Sequence, residues 1–232
     1  MRIALIGYGK MGHCIEQVAL SRGHEVVARI DVGSDWDLHD ADVAIEFTTP
    51  ATAEANIRRC WEAGVPVVCG TTGWNVQQLI IDNGQLTSAD GKTFVDKNTG
   101  KTMLVWSSKF SVGVNIFFDL NKYLAQQMAS NPQYTPSITE THHIHKLDKP
   151  SGTAKTLAED IQKMSIVHTF RSFSEGDKNC QLSIESVREG EVPGTHVVTW
   201  DSPEDTIVIT HIAKGREGFA LGAVIAAENL VQ

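Results

Sequence analysis

The sequence predicts an α/β protein, in which a mainly parallel sheet is followed by an α+β region built on an open mixed or antiparallel sheet. In the first half of the 232 residues, short apolar segments alternate with helical segments. A glycine-rich turn separates the first predicted strand from the first helix. Beyond residue 180, several strand-like segments follow one another directly. Together these patterns indicate two domains of different architecture.

The glycine-rich turn has the pattern of a dinucleotide-binding site. The elements around it are a strand at 2–6, a helix at 13–22 and a strand at 25–30. The turn itself is a G-x-G-x-x-G motif that comprises Gly7, Gly9, Lys10, Met11 and Gly12. In a Rossmann domain the three glycines allow the tight turn, the approach of the pyrophosphate and close helix packing. The alternative is a glycine turn that only closes the packing of strand and helix.

An acidic residue at the end of the second strand bears on the choice of cofactor. Asp31 follows this strand, where a carboxylate accepts hydrogen bonds from the adenosine ribose and repels a 2′-phosphate. The next residue is Val32 rather than a cation, although Arg29 lies two residues back. The sequence therefore predicts NADH or NADPH as the cofactor, with NADH slightly favoured.

Two threonine-containing turns follow later strands of this domain. The further predicted elements are a strand at 42–47, a helix at 51–63, a strand at 65–69, a hairpin or excursion at 82–102 and a strand at 103–106. Thr48 follows one strand, and Gly70, Thr71 and Thr72 follow the next. Because ligands bind at the carboxyl ends of such strands, we expect both turns to border the nicotinamide. Plain connecting turns are the alternative.

The second domain is predicted from a helix and a set of strands. The elements are a helix at 114–129, a loop at 165–179, strands at 180–188, 194–200 and 205–212, and a helix at 217–230. The helix at 114–129 is expected to point Ile116, Phe117, Leu120, Tyr123 and Leu124 inward. The last helix is expected to return to the first domain. We therefore expect a dinucleotide-binding domain of residues 1–112 plus 213–232 and a substrate-binding and oligomerisation domain of residues 113–212.

Chemistry-bearing residues are most concentrated in the segment from Ile138 to Ala154. It contains His142, His143, His145 and Lys146, followed by the turn Pro150-Ser151-Gly152-Thr153 that opens a helix. A strand at 137–143 would direct His142 and His143 to opposite faces. The free amides and positive dipole end at the helix start favour an anion, and Gly152 permits close approach. The segment therefore predicts a site for a carboxylate or phosphate.

Ordinary structural roles and a metal site are the alternatives for this segment. Strand histidines are often hydrogen-bonded structurally, and Ser-Gly-Thr is a common helix cap. The three histidines are potential metal ligands, but no nearby cysteine or carboxylate cluster completes a zinc spacing. We therefore expect no metal.

Charge, hydropathy and cysteine spacing restrict the classes of partner that the protein can have. A formal charge of -8, from 20 basic and 28 acidic residues, argues against a nucleic-acid partner. No apolar run approaches the length of a membrane span, and no leader is recognisable, so we expect no membrane partner. Four irregularly spaced cysteines indicate neither a disulfide framework nor a zinc site. The expected location is the cytoplasm.

At the level of motifs the chain resembles the 4-hydroxy-tetrahydrodipicolinate reductase family, also called dihydrodipicolinate reductase. The matching pieces are G-Y-G-K-M-G (7–12), F-T-T-P (47–50), G-T-T-G (70–73), F-S-V-G-V-N (110–115), E-T-H-H-I-H-K-L-D-K-P-S-G-T-A (140–154) and V-P-G-T (192–195). They occur in family order over essentially the whole chain. The resemblance implies NAD(P)H-dependent reduction of 4-hydroxy-tetrahydrodipicolinate to tetrahydrodipicolinate in the diaminopimelate route to lysine. It also implies closure between the two domains and a homotetramer built by the second sheet.

The resemblance also implies roles for single residues. His142 would be the general acid, with Lys146 also proposed as a proton donor. The substrate, a small dicarboxylate, would be bound by His143, Lys146, Ser151, Gly152 and Thr153. The cofactor would be bound by Gly7, Gly9, Lys10, Met11, Gly12, Asp31, Phe47, Thr48, Gly70, Thr71, Thr72, Ser108, Lys109 and Phe110. Lys109 departs from the family pattern, which has a small polar residue there, and places a charge near the nicotinamide.

Two other classes of protein remain open. A nucleotide-binding sensor that has lost turnover would tolerate the loss of His142 and Lys146, and both residues are present. A related dehydrogenase acting on an amino acid or a sugar would not require two carboxylate clamps. The sequence also leaves open whether the substrate is bound in its hydroxylated or dehydrated form.

Overall fold

The computed structural model describes residues 1–83, 86–88, 90–164, 173–175 and 182–232. The chain divides into two compact units, one formed by Met1–Val112 together with Arg216–Gln232 and the other by Gly113–Gly215. The second unit is therefore inserted between the last helix and the remainder of the first unit.

The elements alternate in the first unit and become strand-rich in the second. The strands are β1 (Arg2–Ile6), β2 (Glu25–Ile30), β3 (Val43–Glu46), β4 (Val67–Cys69), β5 (Leu86–Thr87), β6 (Thr93–Asp96), β7 (Thr102–Trp106), β8 (Thr135–His142), β9 (Phe173–Glu175), β10 (Leu182–Arg188), β11 (Thr195–Asp201) and β12 (Thr206–Ile212). The helices are α1 (Lys10–Ser21), α2 (Ala53–Glu62), α3 (Val76–Asn83), α4 (Val112–Met128), α5 (Gly152–Met164) and α6 (Glu217–Leu230).

The first unit is built on a seven-stranded sheet with the order β2-β1-β3-β4-β7-β6-β5. Strands β2, β1, β3, β4 and β7 pair in parallel, as expected where helices connect successive strands. The chain passes from β1 to β2 on one side and then crosses to β3 on the other. The carboxyl ends of β1 and β3 thus flank a topological switch point, where doubly wound sheets bind ligands. The predicted α/β class is confirmed.

Helices cover both faces of this sheet. On one face Ile3 and Leu5 pack with residues of α1 and α6, including Ile15 and Val224. On the other face Ala4 and Ile6 pack with α2 and α3. This alternation along β1 follows from the two-residue period of a strand. Helix α6 lies close to the end of the parallel strands, since a Cβ on Gly222 would be 1.7 Å from the carbonyl oxygen of Phe110.

The predicted hairpin within 82–102 is confirmed. Strand β6 pairs antiparallel with β7, and β5 pairs antiparallel with β6, which extends the sheet at one edge. Asp96 closes the turn by accepting backbone N–H bonds from Asn98 and Thr99. The excursion is therefore an ordered edge meander in its described residues.

The second unit is built on a five-stranded sheet with the order β12-β11-β8-β10-β9. Strands β10 and β8 are parallel, as are β10 and β9, whereas β11 is antiparallel to both β8 and β12. The sheet is thus mixed, which agrees with the predicted open mixed or antiparallel sheet, and β8, β9 and β10 are its parallel part. The reason is that α5 and the chain after it carry β8 over to β10 as a crossover, which permits parallel pairing.

Helices α4 and α5 cover one face of the second sheet. Ile138, Ile184 and Val198 point from three adjacent strands into this core, where Phe117 and Leu157 meet them. The opposite face carries Thr139, Thr141, Val197 and similar residues in half-buried positions. One face of the sheet is therefore the core of the unit, and no element of its described residues packs on the other.

The predicted inward face of α4 is only partly correct. Phe117 is buried and Leu124 packs against the core, but Ile116, Leu120 and Tyr123 are exposed. The buried residues are Val114, Phe117, Phe118, Asn121, Ala125 and Met128. Since apolar residues occur around most of this helix, hydropathy alone does not identify the face that meets the sheet.

Two further predictions fall partly outside the described residues. The loop predicted at 165–179 lies outside them except at Phe173–Glu175, where the prediction is wrong because these residues form β9 beside β10. The strand predicted at 180–188 is confirmed as β10 from Leu182 onward. Among the helices of the described residues, none has the length and apolar content needed to cross a membrane.

Candidate active site

The glycine turn of the first unit shows a different requirement at each glycine. Gly7 has a φ of +90°, and a Cβ there would lie 2.1 Å from the carbonyl oxygen of Phe47. A Cβ on Gly12 would lie 2.4 Å from the carbonyl oxygen of Gly7. Gly9 precedes α1, has an ordinary φ of -85° and would meet no atom within 4 Å. Packing therefore explains Gly7 and Gly12, whereas Gly9 leaves open space at a helix start, which suits a phosphate.

The residues after the first glycines begin α1. Lys10 and Met11 are its first two residues, with Lys10 exposed and Met11 packed against the core beneath the helix. The N–H groups of this first turn have no acceptor within the helix. Lys10 thus places a cation beside these donors, and Met11 anchors the turn.

The two threonine turns predicted to border the nicotinamide meet each other. Thr48 donates its backbone N–H to Thr71 Oγ1 at 2.8 Å. A Cβ on Gly70 would lie 2.1 Å from the ring of Phe47, so these two residues are in tight contact. Thr72 is exposed beside them. The turns after β3 and β4 therefore form one surface at the carboxyl edge of the sheet.

A buried acid supports this surface, and the sequence analysis missed it. Glu46 is fully buried and accepts hydrogen bonds from Thr48 Oγ1 and, at 3.0 Å, from Cys69 Sγ. Asn56 Nδ2 lies 3.4 Å from the same carboxylate. Burial, together with the charge of Glu46, raises the pKa of Cys69, so this thiol stays protonated and acts as a donor. In the sequence analysis Glu46 lies within a predicted strand and is assigned no role, although an acid in an apolar strand signals a buried hydrogen-bond network.

The third predicted cofactor segment lies at the same edge. Ser108, Lys109 and Phe110 follow β7, and Lys109 donates its backbone N–H to Ser107 Oγ at 3.0 Å. Phe110 is buried, with its ring centroid 6.0 Å from that of Phe47. Segments that are far apart in the chain are thus brought together at the carboxyl ends of β3, β4 and β7.

Asp31 and Arg29 differ in what surrounds them. Asp31 is exposed at the end of β2, and its Oδ1 accepts the backbone N–H of Val32 at 2.8 Å. Arg29 donates from Nε to Glu16 Oε1 at 2.9 Å, and its guanidinium lies 5.8 Å from the ring centroid of Tyr8. The hydrogen bond to Arg29 lowers the pKa of Glu16 against the effect of burial. The guanidinium nearest to Asp31 along the strand is therefore already paired.

In the second unit, β8 brings the predicted catalytic histidine to the covered face of the sheet. Glu140 and His142 are two residues apart on this strand, so they point to the same side. The strand ends at His142, whereas the prediction continued it through residue 143. His143 follows in the loop, with its ring centroid 5.8 Å from that of His145. His142 and His143 therefore have different surroundings because the strand ends between them, and not only because side chains alternate along a strand.

A buried carboxylate lies at the centre of this site. Glu140 is fully buried, and His142 and His196 are each more than nine-tenths buried beside it. Glu140 Oε2 lies 3.6 Å from His142 Nδ1 and 3.7 Å from His196 Nε2. The two imidazole rings meet edge to face, with centroids 5.0 Å apart. One carboxylate oxygen therefore lies close to a ring nitrogen of each of two imidazoles.

The electrostatics of this cluster favour an ionised acid beside a neutral histidine. Burial raises the pKa of Glu140, but Ser151, Ser186 and the charge of His142 together outweigh it, and the pKa lies below its ordinary value. Burial lowers the pKa of His142, although the charge of Glu140 works in the opposite direction. An imidazole held on the neutral side at pH 7 gives up a proton readily once protonated.

The loop that leads from His142 to α5 carries a lysine. Lys146 Nζ lies 2.7 Å from Asp148 Oδ1. Ser151 caps α5, since its Oγ accepts the N–H of Ala154 at 3.2 Å, and its own N–H donates to Glu140 Oε1 at 3.0 Å. The N–H groups of Gly152 and Thr153 belong to the first turn of α5, where donors point away from the helix. The segment that follows His142 therefore carries a cation at Lys146 and the amides of a helix start at Gly152 and Thr153.

Arg188 joins this loop to the buried carboxylate. Its Nε donates to the carbonyl oxygen of Lys146 at 3.2 Å, and its Nη2 donates to the carbonyl oxygen of Asp148 at 2.6 Å. The same Nη2 lies 3.3 Å from Glu140 Oε1. A lysine in this position would offer one point charge rather than a planar set of donors. Arg188 thus sets the shape of the loop that carries Lys146.

Glu140, His142 and His196 also form a set of potential metal ligands, which the sequence analysis did not foresee. Their ligand atoms all lie within 4.8 Å of one another. Ligands of tetrahedral zinc, at bond lengths near 2.0–2.1 Å, lie about 3.3 Å apart. The separations of 3.6 and 3.7 Å exceed this spacing, and Arg188 and Ser151 already compensate the carboxylate. The cluster therefore fits an acid and base pair with a compensated carboxylate better than a metal centre.

Three residues of this site lay outside the sequence predictions. Glu140, Arg188 and His196 are contributed by β8, β10 and β11. Glu140 had a usable signal, because it lies two positions before His142 in a predicted strand and shares its face. Arg188 and His196 had none, since only the pairing of β10 and β11 with β8 brings them to the site.

The fold and the site define an NAD(P)H-dependent oxidoreductase. A doubly wound unit with the dinucleotide-binding glycine turn is followed by a unit with an imidazole, a lysine and a helix start suited to an anionic substrate. Family models agree with both parts: "Dihydrodipicolinate reductase, N-terminus" matches residues 1–81, and "Dihydrodipicolinate reductase, C-terminus" matches residues 113–232. The chain belongs to the dihydrodipicolinate reductase family.

Individual relatives support the assignment. The chain is 43% identical to the 4-hydroxy-tetrahydrodipicolinate reductase of Christiangramia forsetii, over 99% of this chain and 92% of the relative. It is 34% identical to the enzyme of the same name from Archaeoglobus fulgidus, over 98% and 93% of the two chains. Dipicolinate-bound dihydrodipicolinate reductase from Paenisporosarcina sp. TG-14 shares the fold, with a TM-score of 0.71 at 21% identity, over 100% of this chain and 94% of that one.

Proposed function

We propose that this chain catalyses the reduction of 4-hydroxy-tetrahydrodipicolinate to tetrahydrodipicolinate with NAD(P)H, in the diaminopimelate route to lysine. The observation that carries the proposal is the cluster of His142, Lys146 and the start of α5 in the second unit of a family member. The reaction transfers a hydride from the nicotinamide and a proton from the protein, and it releases water. The chain must therefore bind two carboxylates and supply one proton.

Two anion sites would hold the two carboxylates of the substrate. Lys146, with His143 beside it, is assigned to one carboxylate, and Ser151 with the Gly152 and Thr153 amides to the other. The ion pair between Lys146 and Asp148 keeps the ammonium on the loop, where a substrate carboxylate can replace or join Asp148. The hydrogen bond from Lys146 and its charge lower the pKa of Asp148 despite burial, which keeps this pair ionised. Two separate clamps would orient the ring for hydride transfer.

His142 is assigned as the acid that protonates the reduced ring, with Lys146 as the second candidate donor. General acid catalysis by a positioned imidazole typically contributes 10²–10⁴-fold. The nearby carboxylate of Glu140 stabilises the imidazolium form against burial. His142 can therefore take up a proton and release it within one catalytic cycle.

The cofactor would bind in the first unit, with NADH preferred to NADPH. The pyrophosphate is assigned to Gly7, Gly9, Lys10, Met11 and Gly12, the ribose to Asp31, and the nicotinamide side to Phe47, Thr48, Gly70, Thr71, Thr72, Ser108, Lys109 and Phe110. The pairing of Arg29 with Glu16 supports NADH, because this cation is already engaged by a protein carboxylate rather than left for a 2′-phosphate. The carboxylate of Asp31 adds a repulsive charge.

A homotetramer in the cytoplasm completes the proposal. Val208 and Ile212 on β12 are more than half exposed and share the face of the second sheet that α4 and α5 leave uncovered. Burial of this face against other copies would remove these side chains from water. Cys14, Cys60 and Cys69 are free thiols, which suits a reducing compartment. Sedimentation of the purified chain would test the assembly, and a stable monomer would contradict it.

The function is tested with substrate made in place by the preceding synthase. Absorbance at 340 nm should fall when NADH, the enzyme and the freshly generated synthase product are combined, and pyridine-2,6-dicarboxylate should inhibit the reaction. Reactions without the synthase, or with the exposed Lys155→Ala variant, serve as controls for background and for surface charge. Failure of both NADH and NADPH to react would exclude the proposed activity and favour a sensor or a dehydrogenase for another substrate.

A further inference from the structure

The two carboxylate oxygens of Glu140 have different hydrogen-bond surroundings. Oε1 accepts the backbone N–H of Ser151 at 3.0 Å and faces Arg188 Nη2 at 3.3 Å. Oε2 has no hydrogen-bond partner and is fully enclosed, as is Nδ1 of His142, which lies 3.6 Å away. Two unsatisfied buried polar atoms this close together are costly unless they interact during function.

We propose that Glu140 is a positioning residue, whose Oε2 holds His142 with a proton on Nδ1, so that Nε2 delivers the catalytic proton. The inference deepens the proposed function, because it rests on His142 as the acid. A carboxylate that accepts from one ring nitrogen selects the tautomer and the orientation of the ring, and it stabilises the imidazolium. A small side-chain rotation brings the 3.6 Å separation into the hydrogen-bond range of 2.7–3.2 Å.

The surroundings of Nε2 agree with its assignment as the reacting nitrogen. A Cβ on Gly194 would lie 3.1 Å from His142 Nε2, so the glycine leaves space beside this atom. The φ of Gly194 is +153°, a backbone conformation that residues with a side chain rarely adopt. His142 Nδ1 therefore lies near the buried carboxylate of Glu140, whereas Nε2 lies beside Gly194, which has no side chain to crowd it.

Ser151 connects this acid and base pair to the substrate clamp. Its N–H binds Glu140, and its Oγ lies 3.2 Å from His196 Nε2 and accepts the N–H of Ala154 in α5. His196 in turn lies 3.7 Å from Glu140 Oε2. Ser151 therefore fixes the start of α5, which would bind a substrate carboxylate, relative to Glu140, which would orient His142.

The charge balance around His142 gives the direction of the expected effect. The groups that face it from the elements packed against it are Glu140 on β8, Lys146 and Asp148 in the loop, Arg188 on β10 and His196 on β11. Burial lowers the pKa of His142, as do Lys146 and Arg188, whereas Glu140 and Asp148 raise it. Loss of the Glu140 charge should therefore lower this pKa further, so the imidazolium should be lost at a lower pH.

The test compares Glu140→Gln with the wild-type protein. Glutamine keeps the size of the side chain and an oxygen that can accept the Ser151 N–H. We expect NMR titration of the labelled imidazoles to show a His142 pKa lower by about one unit or more, with less of the Nδ1–H tautomer. We also expect kcat at neutral pH to fall by about tenfold or more, KM to change by less than about threefold, and the alkaline limb of kcat to move to lower pH.

Matched variants separate this role from a structural one. Glu185→Gln, on an exposed position of the neighbouring β10, should leave the titration and kcat unchanged. Glu140→Asp restores the charge at a longer distance and should recover part of the His142 pKa, and it replaces the glutamine variant if that protein does not fold. An unchanged pKa and tautomer in Glu140→Gln would overturn the proposal, as would stoichiometric zinc in the purified protein. Because the NMR titration needs no turnover, an inactive wild type would refute the proposed function alone.

Discussion

The guanidinium of Arg188 donates to the carbonyl oxygen of Asp148 at 2.6 Å, and so ties the loop that carries Lys146 to a strand that is distant in sequence. The same side chain reaches the carbonyl oxygen of Lys146 and the buried carboxylate of Glu140. One planar group therefore holds three oxygens, two of the loop and one of the buried acid, in a fixed arrangement. This arrangement connects fold stability with the geometry of the proposed anion site.

We expect Arg188→Met to destabilise the protein by about 3–5 kcal/mol, because it leaves the buried charge of Glu140 without its guanidinium partner. Arg188→Lys should restore the charge but not the planar donors, with a smaller loss of about 1–3 kcal/mol. Urea unfolding monitored by circular dichroism measures both. Arg58→Lys, whose half-exposed partner Glu54 lies one turn away in α2, should change stability by less than about 0.5 kcal/mol. Equal effects at the two positions would contradict the assigned role.

Gly9 and Gly12 of the glycine turn should respond differently to alanine. Gly12→Ala introduces a Cβ at 2.4 Å from the carbonyl oxygen of Gly7 and should cost about 1–3 kcal/mol of stability. Gly9→Ala meets no protein atom within 4 Å and should leave unfolding nearly unchanged. If the pyrophosphate approaches the backbone there, Gly9→Ala should still weaken NADH binding about tenfold or more, as measured by fluorescence titration. Wild-type affinity in this variant would place the cofactor elsewhere.

Lys146→Ala should weaken pyridine-2,6-dicarboxylate binding, since one anion clamp is lost. We expect Kd to rise by about tenfold or more, with NADH affinity unchanged, in isothermal titration of the protein with each ligand. In steady-state assays KM should rise and kcat should fall, whereas His142→Ala should mainly lower kcat. Lys155→Ala, one turn into α5 and exposed, provides the matched loss of a positive charge. An active His142→Ala, Lys146→Ala double variant would refute both assigned roles.

Cofactor preference should follow the charge at the end of β2. Asp31→Ser removes the carboxylate that would bind the ribose and repel a 2′-phosphate, so kcat/KM should fall for NADH and rise for NADPH. The expected change in the ratio of the two values is about tenfold or more. Asp35→Ser, a nearby exposed acid, controls for net charge. A clear preference of the wild-type enzyme for NADPH would contradict the interpretation of Asp31 and of the Arg29–Glu16 pair.

The attachment of the last helix should depend on pH. Glu228 in α6 pairs with Arg22 at 2.8 Å and with His24 at 2.7 Å, and the hydrogen bond from Arg22 is the main cause that lowers its pKa to about 2. A pKa below the unfolded value of about 4.3 means that this group stabilises the fold above that pH. Its contribution is lost as the pH falls toward 2. Glu228→Gln should therefore lower the urea midpoint at pH 7 but not near pH 2, and a constant difference would contradict this.

Local patterns predicted much of the fold, and pairing between distant segments explains what they missed. The structure contains the predicted glycine turn, the alternation of strands and helices around β1, and the hairpin before Trp106. Each of these features is predicted from a short stretch of sequence. The parallel pairing of β8 with β10 and the outward face of α4 depend on which elements meet. The same distinction holds at the site. His142, Lys146 and Ser151 belong to one conspicuous segment, whereas Arg188 and His196 arrive through sheet register.

The position of α6 has a consequence for biosynthesis. Ala220, Ala223 and Val224 complete the core beneath Ile3 and Leu5, yet the ribosome makes them only after the whole of Gly113–Gly215. The emerging N-terminal unit therefore exposes an apolar sheet face while the inserted unit is being translated. Chaperone capture is expected to be strongest in that interval, and it should end when the last helix leaves the exit tunnel and closes over the strands.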